Sequence, residues 1–429
     1  MLSAFVQAFK TPDLRRKLLF TLGIMALFRL GSVLPTPGVS LKNVQTCVGQ
    51  ADDASLLSLI NIFSGGALLQ LSVFALGIMP YITASIIIQL LRVVIPRFEE
   101  LHKEGQSGTA KLTEYTRYLT IGLGVLQSAT IVATAANRQL FPTCNVPVIP
   151  DSSPVNLALM IVTMTAGTGL IMWLGELITD RGIGNGMSLL IFTSIVARFP
   201  QNLGSILTGS GGVSKFALVI AVILVATIAV IFVEQGTRRI PVQYAKRMIG
   251  RRQYGGSTTY IPIKINTANV IPVIFASSIL AMPQLVSQFS PRSSWAAWVG
   301  QNLRQTDTIY LVAYGLLILF FTFFYTAITF NAEEIADNMK KYGGFIPGIR
   351  AGEPTVKYLS YVINRVTVVG SIYLVVLALL PTLAVIELGL SASLPFGGTT
   401  ILIMVGVGLQ TVKEINSQLQ QRHYEGFLS

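Results

Sequence analysis

The sequence predicts an all-α polytopic membrane protein with ten spans and one further helix that enters the membrane without crossing it. Three observations carry this. Only 12% of the 429 residues are charged and 52% are hydrophobic, whereas a soluble domain has about 25% charged residues. Long uncharged runs recur along the chain, and the mean hydropathy is +0.63, which is the signature of membrane helices. The runs are continuous rather than alternating, which argues against a β-barrel. A soluble enzyme with a large core is excluded on the same grounds.

The spans are expected near 18–34, 72–91, 117–136, 155–178, 187–203, 216–233, 269–289, 308–330, 366–386 and 396–412. Lys10, Arg15, Arg16 and Lys17 precede the first, as in a signal peptide. That run continues to Leu34 and ends in Pro35-Thr36-Pro37-Gly38 rather than a small-residue cleavage site, so it reads as a retained span. The stretch from Ala54 to Leu91 is uncharged for 38 residues. As one helix it would be about 57 Å long, against a hydrocarbon core of ~30 Å. Gly65-Gly66, Gly77 and Pro80 offer breaks. Two pieces follow: a half-inserted helix near 56–70 and a full span near 72–91. Broken backbone at membrane depth is tolerated where protein covers it or where it lines a watery cavity, so the stretch points to a pathway.

Orientation is read from the loops. With the N-terminus inside, the cytoplasmic segments hold 24 Lys and Arg and the outer segments 6, so both termini are expected in the cytoplasm. Arg29 lies in the outer third of the first span and is expected to snorkel to the outer headgroups. Cys47 and Cys144 fit no metal or redox motif and fall in outer loops. A disulfide between them is open, and two unpaired thiols is the favoured reading.

Two cytoplasmic loops stand out. Residues 234–266 carry Arg238, Arg239, Lys246, Arg247, Arg251, Arg252 and Lys264 with interleaved tyrosines, and residues 331–364 carry a Gly- and Pro-punctuated turn around Arg350. A topology signal needs only a few positive charges close to the spans. A concentrated basic stretch with its own turns favours a docking surface for an acidic protein or RNA.

Chemistry-bearing motifs are absent. There is no GxxxxGK loop, no HExxH and no Cys/His cluster, so no enzyme, cofactor or metal is expected. Gly182-x-Gly184-x-Gly186 joins two apolar spans and reads as a tight turn. Besides Arg29, Glu176 is the only ionisable residue clearly inside a span, too few for an ion-coupled transporter. Thr83, Ser85 and Gln89 in the second span, and Asn266, Ser277 and Ser278 at the seventh, are expected to join helices by interhelical hydrogen bonds along a seam that can part.

Six long motifs then carry a resemblance: FSGGALLQLSVFALGIMPYITASIIIQLL, RGIGNGMSLLIF, EQGTRRIPVQYAKR, IPIKINTANVIPVIFASSIL, GGFIPGIRAGE and FGGTTILI. In this order they resemble the SecY family, the central subunit of the bacterial protein-conducting channel, over essentially the whole chain. The resemblance implies two pseudo-symmetric five-span halves, 1–203 and 204–429, around a pore. It implies a plug near 56–70 that includes Phe63, Ser64, Gly65 and Gly66. It implies a waist ring of Ile78, Ile82, Met187, Ile191, Ile274 and Ile403, with Met187 standing where relatives carry Ile. It implies a lateral gate between spans two and seven, with Gln89 and Asn266 in its polar cluster. It further implies that the two loops dock the SecA motor ATPase and the ribosome with its RNA. Arg350 carries over there, although PGIRAG has Ala351 in place of the usual proline. SecE and SecG are the implied membrane partners, and signal sequences, nascent chains and lipid the implied ligands. The location implied is the bacterial plasma membrane. The alternatives are a small-molecule secondary transporter and a scaffold with no pathway.

Overall fold

The computed structural model describes residues 7–50, 64–137, 144, 146–208, 212–244, 247–249, 252–254, 258–289, 293–303, 307–387 and 398–425. Its helices are α1 (Pro12–Val33), α2 (Leu41–Gln50), α3 (Met79–Val94), α4 (Pro96–Lys103), α5 (Gln106–Ala136), α6 (Pro154–Arg181), α7 (Gly186–Thr208) and α8 (Gly212–Gln235). A small sheet region follows, with β1 (Thr237–Tyr244), β2 (Arg247–Ile249), β3 (Arg252–Tyr254) and β4 (Thr258–Lys264). Then come α9 (Ile271–Phe289), α10 (Ser294–Asn302), α11 (Thr308–Thr329), α12 (Ala332–Lys341), β5 (Gly344–Phe345), α13 (Glu353–Glu387) and α14 (Gly398–Glu425).

Each of the ten expected span positions carries a helix. Among the described residues, five stretches are long and apolar enough to cross a bilayer: Gln106–Ala136, Pro154–Arg181, Phe216–Gln235, Thr308–Lys341 and Glu353–Leu380. The pair α3 and α4, bent by 100° at Ile95, forms a sixth if counted as one span. The outer faces are apolar and bare. On α8, Val225, Ile228 and Phe232 are 68%, 66% and 81% exposed, a surface that belongs in lipid rather than water.

Helix starts follow local chemistry. Pro12, Pro80, Pro96 and Pro154 all stand in the first turn of their helices, where the missing N–H has no partner to lose. Asn331 caps α12, its side-chain oxygen accepting from the amides of Glu333 and Glu334. That helix carries Glu333 and Glu334 in its first turn and Lys340 and Lys341 in its last, complementing the backbone dipole at both ends.

Three expectations change. The second span begins at Met79, not near residue 72, and residues 64–78 run as consecutive turns. Gly65, Gly66, Leu71 and Gly77 all adopt positive φ there, which no helix accommodates. Residues 56–63 of the expected half-inserted helix lie outside the described residues, and 64–70 are not helical.

The all-α class is also incomplete. β1 and β4 pair antiparallel, Arg238 opposite Ile263 and Ile240 opposite Ile261, and β5 adds to the other edge of β1 through Gln243–Phe345 and Tyr244–Gly344. Ile240, Val242 and Ile263 turn inward on Met339, Ile346, Leu359, Val362 and Ile363. The segments 234–266 and 331–364 therefore share one small core.

Cys47 and Cys144, finally, form a disulfide with Cα atoms 5.3 Å apart, within the usual bonded range. The unpaired reading is overturned. The bond lies in an apolar cluster with Val44, Leu68, Leu71, Leu76, Ile131 and Met160.

Candidate functional site

The six candidate ring residues come from four helices. Ile78 stands at the N-cap of α3 and Ile82 in its first turn; Met187 and Ile191 lie on the first turns of α7; Ile274 begins α9, and Ile403 lies near the start of α14. All six fall in one apolar cluster, with Ile78, Ile191, Ile274 and Ile403 buried and Ile82 and Met187 packed against it. Glycines set the α6–α7 approach. A Cβ on Gly175 would meet the Met187 sulfur at 2.5 Å, and a Cβ on Gly186 would run into the Gly175 carbonyl. Gly184, at φ +80°, makes the expected tight turn between these helices.

The segment 64–78 packs beside this cluster, contributing Phe74 and Ile78 to it, and is strapped to α1 and the residues after it. Thr36 donates to the Leu71 carbonyl through its amide at 3.0 Å and its hydroxyl at 2.6 Å, and the Val73 amide donates to the Leu34 carbonyl at 2.9 Å. Phe28 stacks on Phe74, with ring centroids 5.9 Å apart. Gly167 of α6 leaves room for the Val73 carbonyl. Of the candidate plug residues, Ser64, Gly65 and Gly66 are buried in this segment, and Phe63 lies outside the described residues. Arg29 does not snorkel. Its Nη1 donates to the Gly65 carbonyl at 2.9 Å.

The expected interhelical bonds at the seam are absent among the described residues. Thr83 donates to the Met79 carbonyl at 2.9 Å, Ser277 to the Ile274 carbonyl at 2.9 Å, and Gln89 to Ser85 at 3.5 Å, each within its own helix. Ser278 is buried with no partner. Short hydroxyl side chains on a helix reach the preceding turn's carbonyl more readily than a neighbouring helix. Asn266 donates to Glu234.

Glu176 also has a structural partner. Arg117 grips it in a bidentate pair, Nε–Oε1 at 2.9 Å and Nη2–Oε2 at 2.8 Å, joining α5 to α6. Among the described residues Arg117 is its one ion-pair partner.

The small sheet presents Arg238 and Arg239 on β1 and Arg350 on the turn after β5, all exposed. Gly348 at φ +82° and Gly352 at φ +106° shape that turn, and Thr355 anchors it by donating to the Arg350 carbonyl at 2.8 Å. Tyr260, Tyr342 and Phe345 are exposed beside them. Among the described residues none of these three arginines makes an ion pair. β2 pairs with β3 from Arg247–Tyr254 to Ile249–Arg252, while Lys246 and Arg251 lie outside the described residues. Sequence reasoning missed the sheet. Its signal was the alternation of Ile240 and Val242 with polar neighbours, masked by Pro241 and Pro262.

The sequence model of the SecY family matches residues 72–412, most of the chain. The chain belongs to the SecY family. It is 63% identical over 436 residues to the protein translocase subunit SecY of Streptomyces galbus, covering all of both chains. It is 57% identical over 442 residues to that of Mycobacterium tuberculosis, again covering all of both. Its fold is similar to a solved protein-conducting channel, at TM-score 0.64 and 19% identity over 94% of this chain and 91% of that one. It is also similar to Sec61 from a canine ribosome–channel complex, at TM-score 0.59 and 17% identity over the same shares. This is a membrane protein of a translocase family, built from the apolar helices described above.

Proposed function

We propose that the chain is the conducting subunit of a bacterial plasma-membrane translocase. It passes unfolded secretory polypeptides across the membrane and releases membrane segments sideways into lipid. The carrying observation is the convergence of Ile78, Ile82, Met187, Ile191, Ile274 and Ile403, from four helices, in one apolar cluster. A conductor of many sequences must bind none of them strongly. Aliphatic side chains make no directional bonds, and a constriction they line dewets when empty.

In this reading all ten helices at the expected positions span, in two halves, 1–203 and 204–429, with both termini cytoplasmic. Residues 56–70 form the plug. The seam between α3 and α9 is the lateral gate. Its lack of cross-helix hydrogen bonds suits it to part, since an apolar signal helix can replace the lost contacts and so shift the population toward the open state. The platform bearing Arg238, Arg239 and Arg350 receives SecA or the ribosome, with Lys246, Arg247, Arg251 and Arg252 on the same loop. SecE and SecG complete the membrane complex. The channel performs no bond chemistry of its own.

Depletion of the chain in its own cells tests the reading. Signal-bearing precursors should accumulate unprocessed in the cytoplasm. Normal export after complete depletion overturns it.

A further inference from the structure

Two guanidinium groups meet the Gly65-Gly66 turn from opposite helices. Arg29, near the end of α1, donates from Nη1 to the Gly65 carbonyl at 2.9 Å and to Ser32 Oγ at 3.3 Å. Ser32 Oγ in turn donates to the Arg29 carbonyl at 2.7 Å, fixing the arginine's own turn. Arg198, on α7, lays its guanidinium where a Cβ on Gly66 would stand. A Cβ on Gly65 would meet Ser194 Cα, one turn earlier on α7, at 3.1 Å. Both glycines have positive φ, +64° and +90°, a region other residues enter at a cost. The glycine pair therefore serves two ends: it makes the turn, and it lets both cations touch the backbone.

The electrostatics give this contact a direction. Arg29 and Arg198 are close enough to act on one another, and like charges repel more strongly as water is removed. Among the described residues no carboxylate pairs with either. Compensation comes from neutral oxygens, the Gly65 carbonyl of the turn and Ser32 Oγ, both accepting from Arg29. If the turn moves, Arg29 loses the Gly65 carbonyl.

We infer that Arg29 and Arg198 are positioning residues that clasp the Gly65-Gly66 turn and hold the plug segment in its closed place. This rests on the reading of residues 56–70 as a plug. Neither arginine touches the polypeptide path in this state; both act through the turn. The clasp uses the Gly65 carbonyl and the bare backbone at Gly66 rather than side chains of the turn, so it tolerates sequence change in the plug but not a side chain at residue 66.

Resting ion conductance of the complete reconstituted translocase in planar bilayers, with no polypeptide engaged, tests the clasp. Arg29→Ala and Gly66→Ala should each raise the resting open fraction at least tenfold, and Arg198→Gln should raise it too. Arg29→Lys, which keeps one donor, should restore most of the seal. The double variant R29A/G66A should leak little more than the leakier single one, because each change on its own already frees the same turn. Deletion of residues 56–66 should leak by itself, and R29A should add nothing on that background. A merely structural arginine would instead destabilise the deleted channel as well. The clasp is overturned if R29A and G66A seal like the parent, or if R29A adds leak to the deletion. If the deletion itself does not leak, the plug reading fails first and takes the clasp with it. Should R29A not assemble, R29K and G66A still decide the matter.

Discussion

Asn266 Nδ2 donates to Glu234 Oε1 at 2.6 Å and to the Asn269 carbonyl at 3.1 Å. Both side chains are buried, and Asn269 closes the turn at φ +52°. The bond ties the end of α8 to the residue that precedes α9, across the base of the β1–β4 pair. Asn266→Leu strands a buried carboxylate, and losing the partner of a buried polar group costs about 1–3 kcal/mol. Glu234→Gln keeps an acceptor for Asn266 and should cost under about 1 kcal/mol by the same reasoning. Thermal inactivation of the purified protein should separate the two variants in that order.

Glu176 is expected to serve structure rather than proton movement. The Arg117 partner leaves it no free role, and the pair is half exposed on its arginine side. Glu176→Gln should leave precursor transport into vesicles equally responsive to an imposed proton gradient. The charge swap R117E/E176R should retain whatever stability either single variant loses, on the order of 1 kcal/mol for a partly exposed pair. A lost gradient response in E176Q would assign it to a proton route.

Ile274 and Ile403 are both buried ring positions, at 9% and 1% exposure. Asn at either place puts an amide among aliphatic neighbours, where an unsatisfied polar group is costly, so the closed packing should weaken relative to the open one. The expected result is export of precursors with defective signals, raised about tenfold for each 1.4 kcal/mol of shift. If such variants reject defective signals as strictly as the parent, the ring assignment fails.

The disulfide closes a loop across 97 residues. A cross-link of that span contributes about 2–5 kcal/mol. Cys47→Ser should lower the thermal midpoint, and Cys144→Ser should lower it equally, with no further loss in the double variant. Reductant should move the parent to the same midpoint and leave the variants unmoved.

Much of this was legible beforehand, because membrane spans are written in long uncharged runs. The ten helix positions and the break between Gly65 and Pro80 followed from length, Gly and Pro. Finer contacts were not legible. Whether Arg29 faces lipid or a carbonyl depends on a turn thirty-odd residues away. Cys47 and Cys144 meet only because α2 folds back on the end of α5. Ser and Thr in the spans could bond forward to a neighbour or back to their own helix, and residue type alone does not choose. The β1–β4 pair hid behind its prolines, although Pro241 and Pro262 are both exposed, as proline in a strand tends to be.

β5 is only two residues long, yet it joins the segment 331–364 to the sheet of the segment 234–266. A partner that grips Arg350 also pulls on β1, and a push on β1 reaches β4 across their shared ladder. From β4 only residues 265–270 intervene before α9, and the Ile265 carbonyl sits against Gly370 of α13, where a Cβ would meet it at 2.5 Å. The platform is thus a handle with a short shaft. Force applied anywhere on it arrives at the seam helix with little slack to absorb it.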